Sequence, residues 1–245
     1  RLQKKLSFDQ NILFSLKLDE EKVKANSLNG DVIFLDNVEL SKIISRLRYK
    51  DSRYVYLPKK INQNFKQNNN TRNLKFLDGE ILFSKNLDIE IDEKNRIINF
   101  FQNTSKDWVL IKDLNLEEWK INFIGKNNLE KTDIDLNIER INENGLTGCL
   151  NFFNMNFKNV SIIVENGECE DSLNIVNSKG LLNEIKITNA FSDGLDIDFS
   201  DIEMKSLKTN KAGNDCLDLS FGNYILSNAE LIKCNDKGIS IGEKS

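Results

Sequence analysis

The chain is 245 residues long, carries a net charge of −4 with 29% charged residues, and contains no histidine. This balance leaves no broad basic face for a nucleic acid, and no apolar run reaches the roughly 18 residues of a membrane-spanning helix. Without histidine, imidazole general bases, Ser-His or Cys-His nucleophiles and His-ligated metals are excluded.

Residues 1–36 hold the short apolar runs Ile12-Leu13-Phe14 and Val32-Ile33-Phe34-Leu35, which read as strands. Leu40, Ile43, Ile44 and Leu47 then follow the spacing of an amphipathic helix, and Asp36 with Glu39 resembles a capping box. This short helix is expected to be an N-terminal cap, because an uncovered strand edge recruits other chains. Residues 54–57 read as a strand ended by Pro58, and residues 62–72 as a polar loop. Short strands return at residues 74–77, 81–83, 87–91, 97–100, 108–111 and 119–124. The charged segment 125–145 is expected to bulge out as a loop, after which Gly148-Cys-Leu-Asn-Phe-Phe opens a regular pattern.

From Cys169 to Ser245 the chain repeats itself every 22 residues. Leu173, Leu195, Leu217 and Ile239 form one column, and Ile175, Ile197, Leu219 and Ile241 the next, with Leu150 joining the first 23 residues before Leu173. A second apolar register follows about twelve residues later, joining Ile185 to Leu207 and Ile187 to Leu231. A fixed period with alternation inside each unit marks a β-solenoid, in which stacking on the next coil buries each apolar edge. Crossover chirality makes it a right-handed parallel β-helix, with coils about 4.8 Å apart. Phe199 and Phe221 are expected to stack at the next inward position. The 35 asparagines suit its turns and can bond along a stack.

No linker interrupts the pattern, so residues 1–245 read as one β-helix domain. It comprises an N-terminal cap with irregular coils (1–73), irregular coils (74–144) and regular coils (145–245). Cys149 and Cys216 share nearly one column about three coils apart, as do Cys169 and Cys234. At about 14 Å such pairs are too distant for a bridge, which predicts free, mostly buried thiols. Ser245 follows a complete strand without a polar final turn, which predicts further coils or a partner at that end.

Two columns read as outward-facing carry the polar chemistry: Asp171, Asp193, Asp215 and Lys237, then Asn174, Asp196, Asp218 and Ser240, with Asp198 nearby. Carboxylates about 5 Å apart repel by roughly 0.9 kcal/mol in water and about 3.5 at an effective dielectric of 20. Relief is available in three ways. Turn N–H groups can hold each carboxylate with Lys237 closing the column, a Ca²⁺ can sit between coils, or a pair can share a proton and do acid–base work on a sugar.

Ser192-Asp-Gly-Leu-Asp-Ile and Gly213-Asn-Asp-Cys-Leu resemble the Asn-Thr-Asp-Gly and Gly-Asp-Asp-Cys motifs of polygalacturonase-type glycosidases in the pectin-lyase-like β-helix superfamily. The resemblance implies that Asp193 and Asp215 match two of that family's three catalytic aspartates. Asn214 stands where the expected general acid would be, and Asp236-Lys-Gly where a Gly-His-Gly histidine would be. Residues 145–245 look closer to bacterial β-helix repeat proteins, some beside spore-coat-H kinase-like domains. The matching units are Glu170 to Asn174, Asp196 to Ser200 and Asp236 to Glu243.

These readings predict a non-catalytic β-helix scaffold or glycan-binding module of a larger bacterial protein. Ligand-facing residues would be Asp171, Asn174, Asp198, Asn214, Asp236 and Lys237. The alternative is a polysaccharide-acting enzyme using Asp193, Asp215, Asp196 and Asp218. No resident metal is expected unless Ca²⁺ enters the acidic columns; the expected partner is a polysaccharide, and the expected location extracellular or cell envelope. Arg1 rather than Met opens the chain, so the question of an export signal stays open.

Overall fold

The computed structural model describes residues 15–19, 22–26, 32–35, 70–126, 142 and 146–242. By internal contacts the chain divides into two units, Arg1–Lys66 and Gln67–Ser245. In the first, strands β1 (Ser15–Asp19), β2 (Lys22–Asn26) and β3 (Val32–Leu35) pair antiparallel in that order. The helix expected over residues 40–47, the strands at 12–14 and 54–57, and nearly all of the loop at 125–145 lie outside the described residues.

The second unit is a β-solenoid. It begins with β4 (Thr71–Phe76), β5 (Gly79–Ser84), β6 (Asp88–Asp92), β7 (Ile97–Phe101), β8 (Val109–Lys112), β9 (Asn115–Glu117) and β10 (Lys120–Ile124). Further along the chain come β11 (Gly148–Phe153), β12 (Asn156–Glu165), β13 (Asp171–Val176), β14 (Lys179–Ala190), β15 (Asp193–Asp198) and β16 (Asp201–Met204). It continues through β17 (Leu207–Ala212), β18 (Leu217–Ser220), β19 (Asn223–Leu226), β20 (Ala229–Cys234) and β21 (Ile239–Ile241). One sheet runs β21-β18-β15-β13-β11-β8-β5-β4; the other runs β19-β16-β14-β12-β10-β7-β6, with β17 beside β14 and β20, and β9 beside β12. The described residues contain no helix.

The 22-residue columns are the observed register. Leu150, Leu173, Leu195, Leu217 and Ile239 pair in succession, as do Phe152, Ile175, Ile197, Leu219 and Ile241. All but the two terminal isoleucines are buried, each contributing about 1.5–3 kcal/mol of transfer free energy. In the opposite sheet Ile185 pairs with Leu207, while Thr209 lies between Ile187 and Leu231 and is buried. The irregular coils expected at the entry to the solenoid depart from the expected parallel stacking. β4, β5 and β8 pair antiparallel, as do β6 and β7, before every later pairing becomes parallel.

Some of the asparagines sit at left-handed corners of the coils. Asp113, Asn154, Asn177, Phe199 and Phe221 occupy one corner column and all have φ between 49° and 60°. That left-handed backbone suits Asp and Asn, whose short side chains bond locally. Asn177 donates its amide to Asn154 at 3.3 Å, and at another corner Asn189 donates to Asn166 at 3.2 Å.

Two features differ from what the sequence predicts. The Phe199 and Phe221 rings do stack, 4.9 Å apart and 7° from parallel, but both are half-buried at this corner and outside the core. The left-handed corner ends the strand's alternation one residue earlier. The cysteines are not free thiols: Cys149 bridges Cys169 and Cys216 bridges Cys234, with Cα atoms 5.4 and 5.3 Å apart. Partners 20 and 18 residues apart are slightly less than one coil from each other. A residue entering one strand therefore meets one just before the bend of the adjoining coil. Comparing whole columns overlooks that pairing.

Candidate functional site

The acidic columns meet on one side of the β11-β13-β15-β18 sheet. Strict alternation would turn Asp171 away from Asn174, three residues on, yet Asn174 Nδ2 donates to both Asp171 Oδ2 (3.4 Å) and Asp196 Oδ2 (3.0 Å). The strand is irregular between them. Cys216, in the column of Ser172 and Gly194, belongs to the core, and a Cβ on Gly194 would lie 3.0 Å from Thr209 Cγ2 and 2.6 Å from the Cys216 carbonyl. The inward twist at that position returns the preceding aspartates to the outer side.

Asp171, Asp193 and Asp215 are 2%, 9% and 4% exposed, so this column is not solvent-facing as expected. Asp193 Oδ1 accepts the Asp215 backbone N–H at 2.8 Å and the Asn214 amide at 2.7 Å. Asp215 Oδ1 accepts the Lys237 backbone N–H at 2.9 Å, and the Lys237 ammonium lies 3.4 Å from Asp215 Oδ2. Asp193 and Asp215 thus each tie their own coil to the next, and these backbone donors offset the repulsion between them. Lys237 also contacts Asp236 at the exposed end, and this hydrogen bond raises the ammonium's affinity for its proton.

The second column differs. Asn151 and Asn174 are buried, whereas Asp196, Asp198 and Asp218 are half-buried. Asp196 pairs in register with Asp218, and Asp198 with Ser220. Burial pushes the Asp218 carboxyl up to about 6; Asp193, Asp198 and Asp215 push the same way, and a hydrogen bond with Ser240 opposes them. All ten expected site residues thus lie along this one strip. Among the described residues, no group of three or more carboxylate or thiolate side chains has a metal-site arrangement.

The stacked phenylalanines directly follow Asp198 and Ser220. Bulky residues with φ of 49° are backbone outliers. Each such position costs about 1–3 kcal/mol, whereas a ring pair returns about 0.5–1.5 kcal/mol. Sequence reasoning saw the pairing and missed its exposure. The available signal was the column itself, which reads Asn154, Asn177, Phe199, Phe221.

Fold and strip define a β-solenoid protein of about six turns with an acidic outer strip. No family model, no curated protein and no solved structure matches the chain. No helix among the described residues is long and apolar enough to cross a membrane.

Proposed function

We propose that the chain is a non-catalytic β-helix scaffold of a larger bacterial protein, whose outer strip binds glycan. One observation carries the non-catalytic part. Asp193 and Asp215, which resemble catalytic aspartates by motif, each engage Oδ1 with a backbone N–H of the following coil, at 2.8 and 2.9 Å. Their role is to hold coils together. The half-buried Asp196, Asp198 and Asp218 offer carboxylate acceptors, which sugar hydroxyls can satisfy. Two disulfides fit an oxidising compartment and support an extracellular or cell-envelope location.

A second reading, a glycan-cleaving enzyme, is favoured by Asp218 alone. A carboxyl titrating near pH 6 could act as a general acid. Sugar release from a polysaccharide panel, measured beside binding on affinity gels, separates the two. The scaffold reading expects retardation by at least one glycan, abolished in an Asp196→Asn, Asp218→Asn double variant, and no release by either protein. Release by the wild type that the double variant lacks establishes the enzyme instead.

A further inference from the structure

We infer that the Phe199–Phe221 pair is a contact platform for a neutral sugar chain, which rests on the glycan-binding reading above. The reason lies in the corner column. Three earlier coils fill it with Asp113, Asn154 and Asn177, whose side chains bond along the stack. Asparagine at 199 and 221 would meet the same backbone requirement and extend the same ladder. The chain instead carries two aromatic residues at φ 49°, a backbone that suits asparagine better than phenylalanine. The gain is not core packing, since neither ring belongs to the apolar interior. Strain kept where an unstrained residue of the same column is available points to use of the side chain.

The rings' surroundings name the ligand. Stacked face to face at 4.9 Å and 7° from parallel, the rings cover part of each other's faces and present their edges as an apolar ledge spanning two coils, about the length of one or two sugar rings at the ordinary coil spacing. Asp198 and Ser220, the residues immediately before them, pair in register, and Asp196 and Asp218 lie two residues earlier in each strand. An apolar ledge beside hydrogen-bond acceptors matches a pyranose, which has a C–H surface and hydroxyl donors. The same carboxylates repel a uronate chain at neutral pH. Neutral saccharides are therefore the class selected, and polygalacturonate is disfavoured.

The test uses the column's own alternative. The full chain and a Phe199→Asn, Phe221→Asn double variant are titrated by calorimetry with neutral β-linked gluco-, xylo- and manno-oligosaccharides and with oligogalacturonate, and melted in parallel. The expected result is binding of a neutral oligosaccharide by the wild type, at least about tenfold weaker binding by the variant, and a variant melting temperature equal to or several degrees above the wild type's, since asparagine relieves the strain at both corners. Equal affinity of both proteins overturns the platform and leaves the glycan-binding reading standing. A melting temperature lowered by 10 °C or more overturns it too, by making the pair a structural element. Preference of the wild type for oligogalacturonate overturns the ligand class. Binding of no saccharide by the wild type overturns the glycan-binding reading, and the platform with it.

Discussion

Replacing Asp218 with asparagine should stabilise the protein at neutral pH. The folded carboxyl titrates near 6, against about 3.9 for an aspartate in an unfolded chain. Because the folded value is raised, the protonated form is favoured by folding: stability is fully present below about pH 4 and falls as pH rises from there to about 6. The gap between the folded and unfolded values corresponds to at most about 3 kcal/mol. Asp218 is only partly buried, so solvent screening reduces this to about 1–2 kcal/mol. Asparagine keeps the shape of the protonated acid without its titration. At pH 7.5 the variant should melt roughly 2–8 °C higher, taking about 2–4 °C per kcal/mol for a chain of this size. At pH 4 the two proteins should coincide, and the wild-type curve should lose stability between pH 4 and 6 where the variant's does not. Thermal melts followed by circular dichroism at half-unit pH steps give both curves. Equal slopes, or a variant less stable at pH 7.5, would refute the account of Asp218 as a carboxylate pushed up by burial and by the neighbouring Asp193, Asp198 and Asp215.

Both disulfides close short loops, 20 and 18 residues in sequence separation, so reduction should cost about 3 kcal/mol per bridge. Dithiothreitol should lower the melting temperature, and labelling of the unfolded, unreduced protein should find no reactive thiol; four labelled cysteines would contradict the pairing. Gly194→Ala should lose at least about 1–3 kcal/mol, because its Cβ would lie 2.6 Å from the Cys216 carbonyl oxygen; an unchanged urea midpoint would show that the coils separate there easily. Leu195→Ala, at a fully buried position, should cost about 3–5 kcal/mol by chemical denaturation. A loss below 1 kcal/mol would mean that the columns do not pack as described. Chelation with EDTA should leave the melting temperature unchanged, since Asp193 and Asp215 are held by backbone donors and Lys237; a fall of several degrees would restore calcium to the acidic columns.

The stacking register was legible from the sequence because a solenoid brings residues one period apart into contact. Leu173, Leu195 and Leu217 become neighbours for the same reason that they align on the page. The positions of the acidic residues along the strip were legible on the same grounds. The corners were not. At Ser172, Gly194 and Cys216 the alternation of the strand fails, and at Phe199 and Phe221 a left-handed backbone ends it. Both irregularities depend on how one bend packs against the bend of the adjoining coil, which a period of 22 residues does not encode. The same is true of Cys149 with Cys169 and Cys216 with Cys234. By itself the sequence determined which residues stack, since the contact repeats with the chain. Only the tertiary structure decided which stacked residues face water, which are buried and which are bonded, since that depends on the direction of each side chain at a corner.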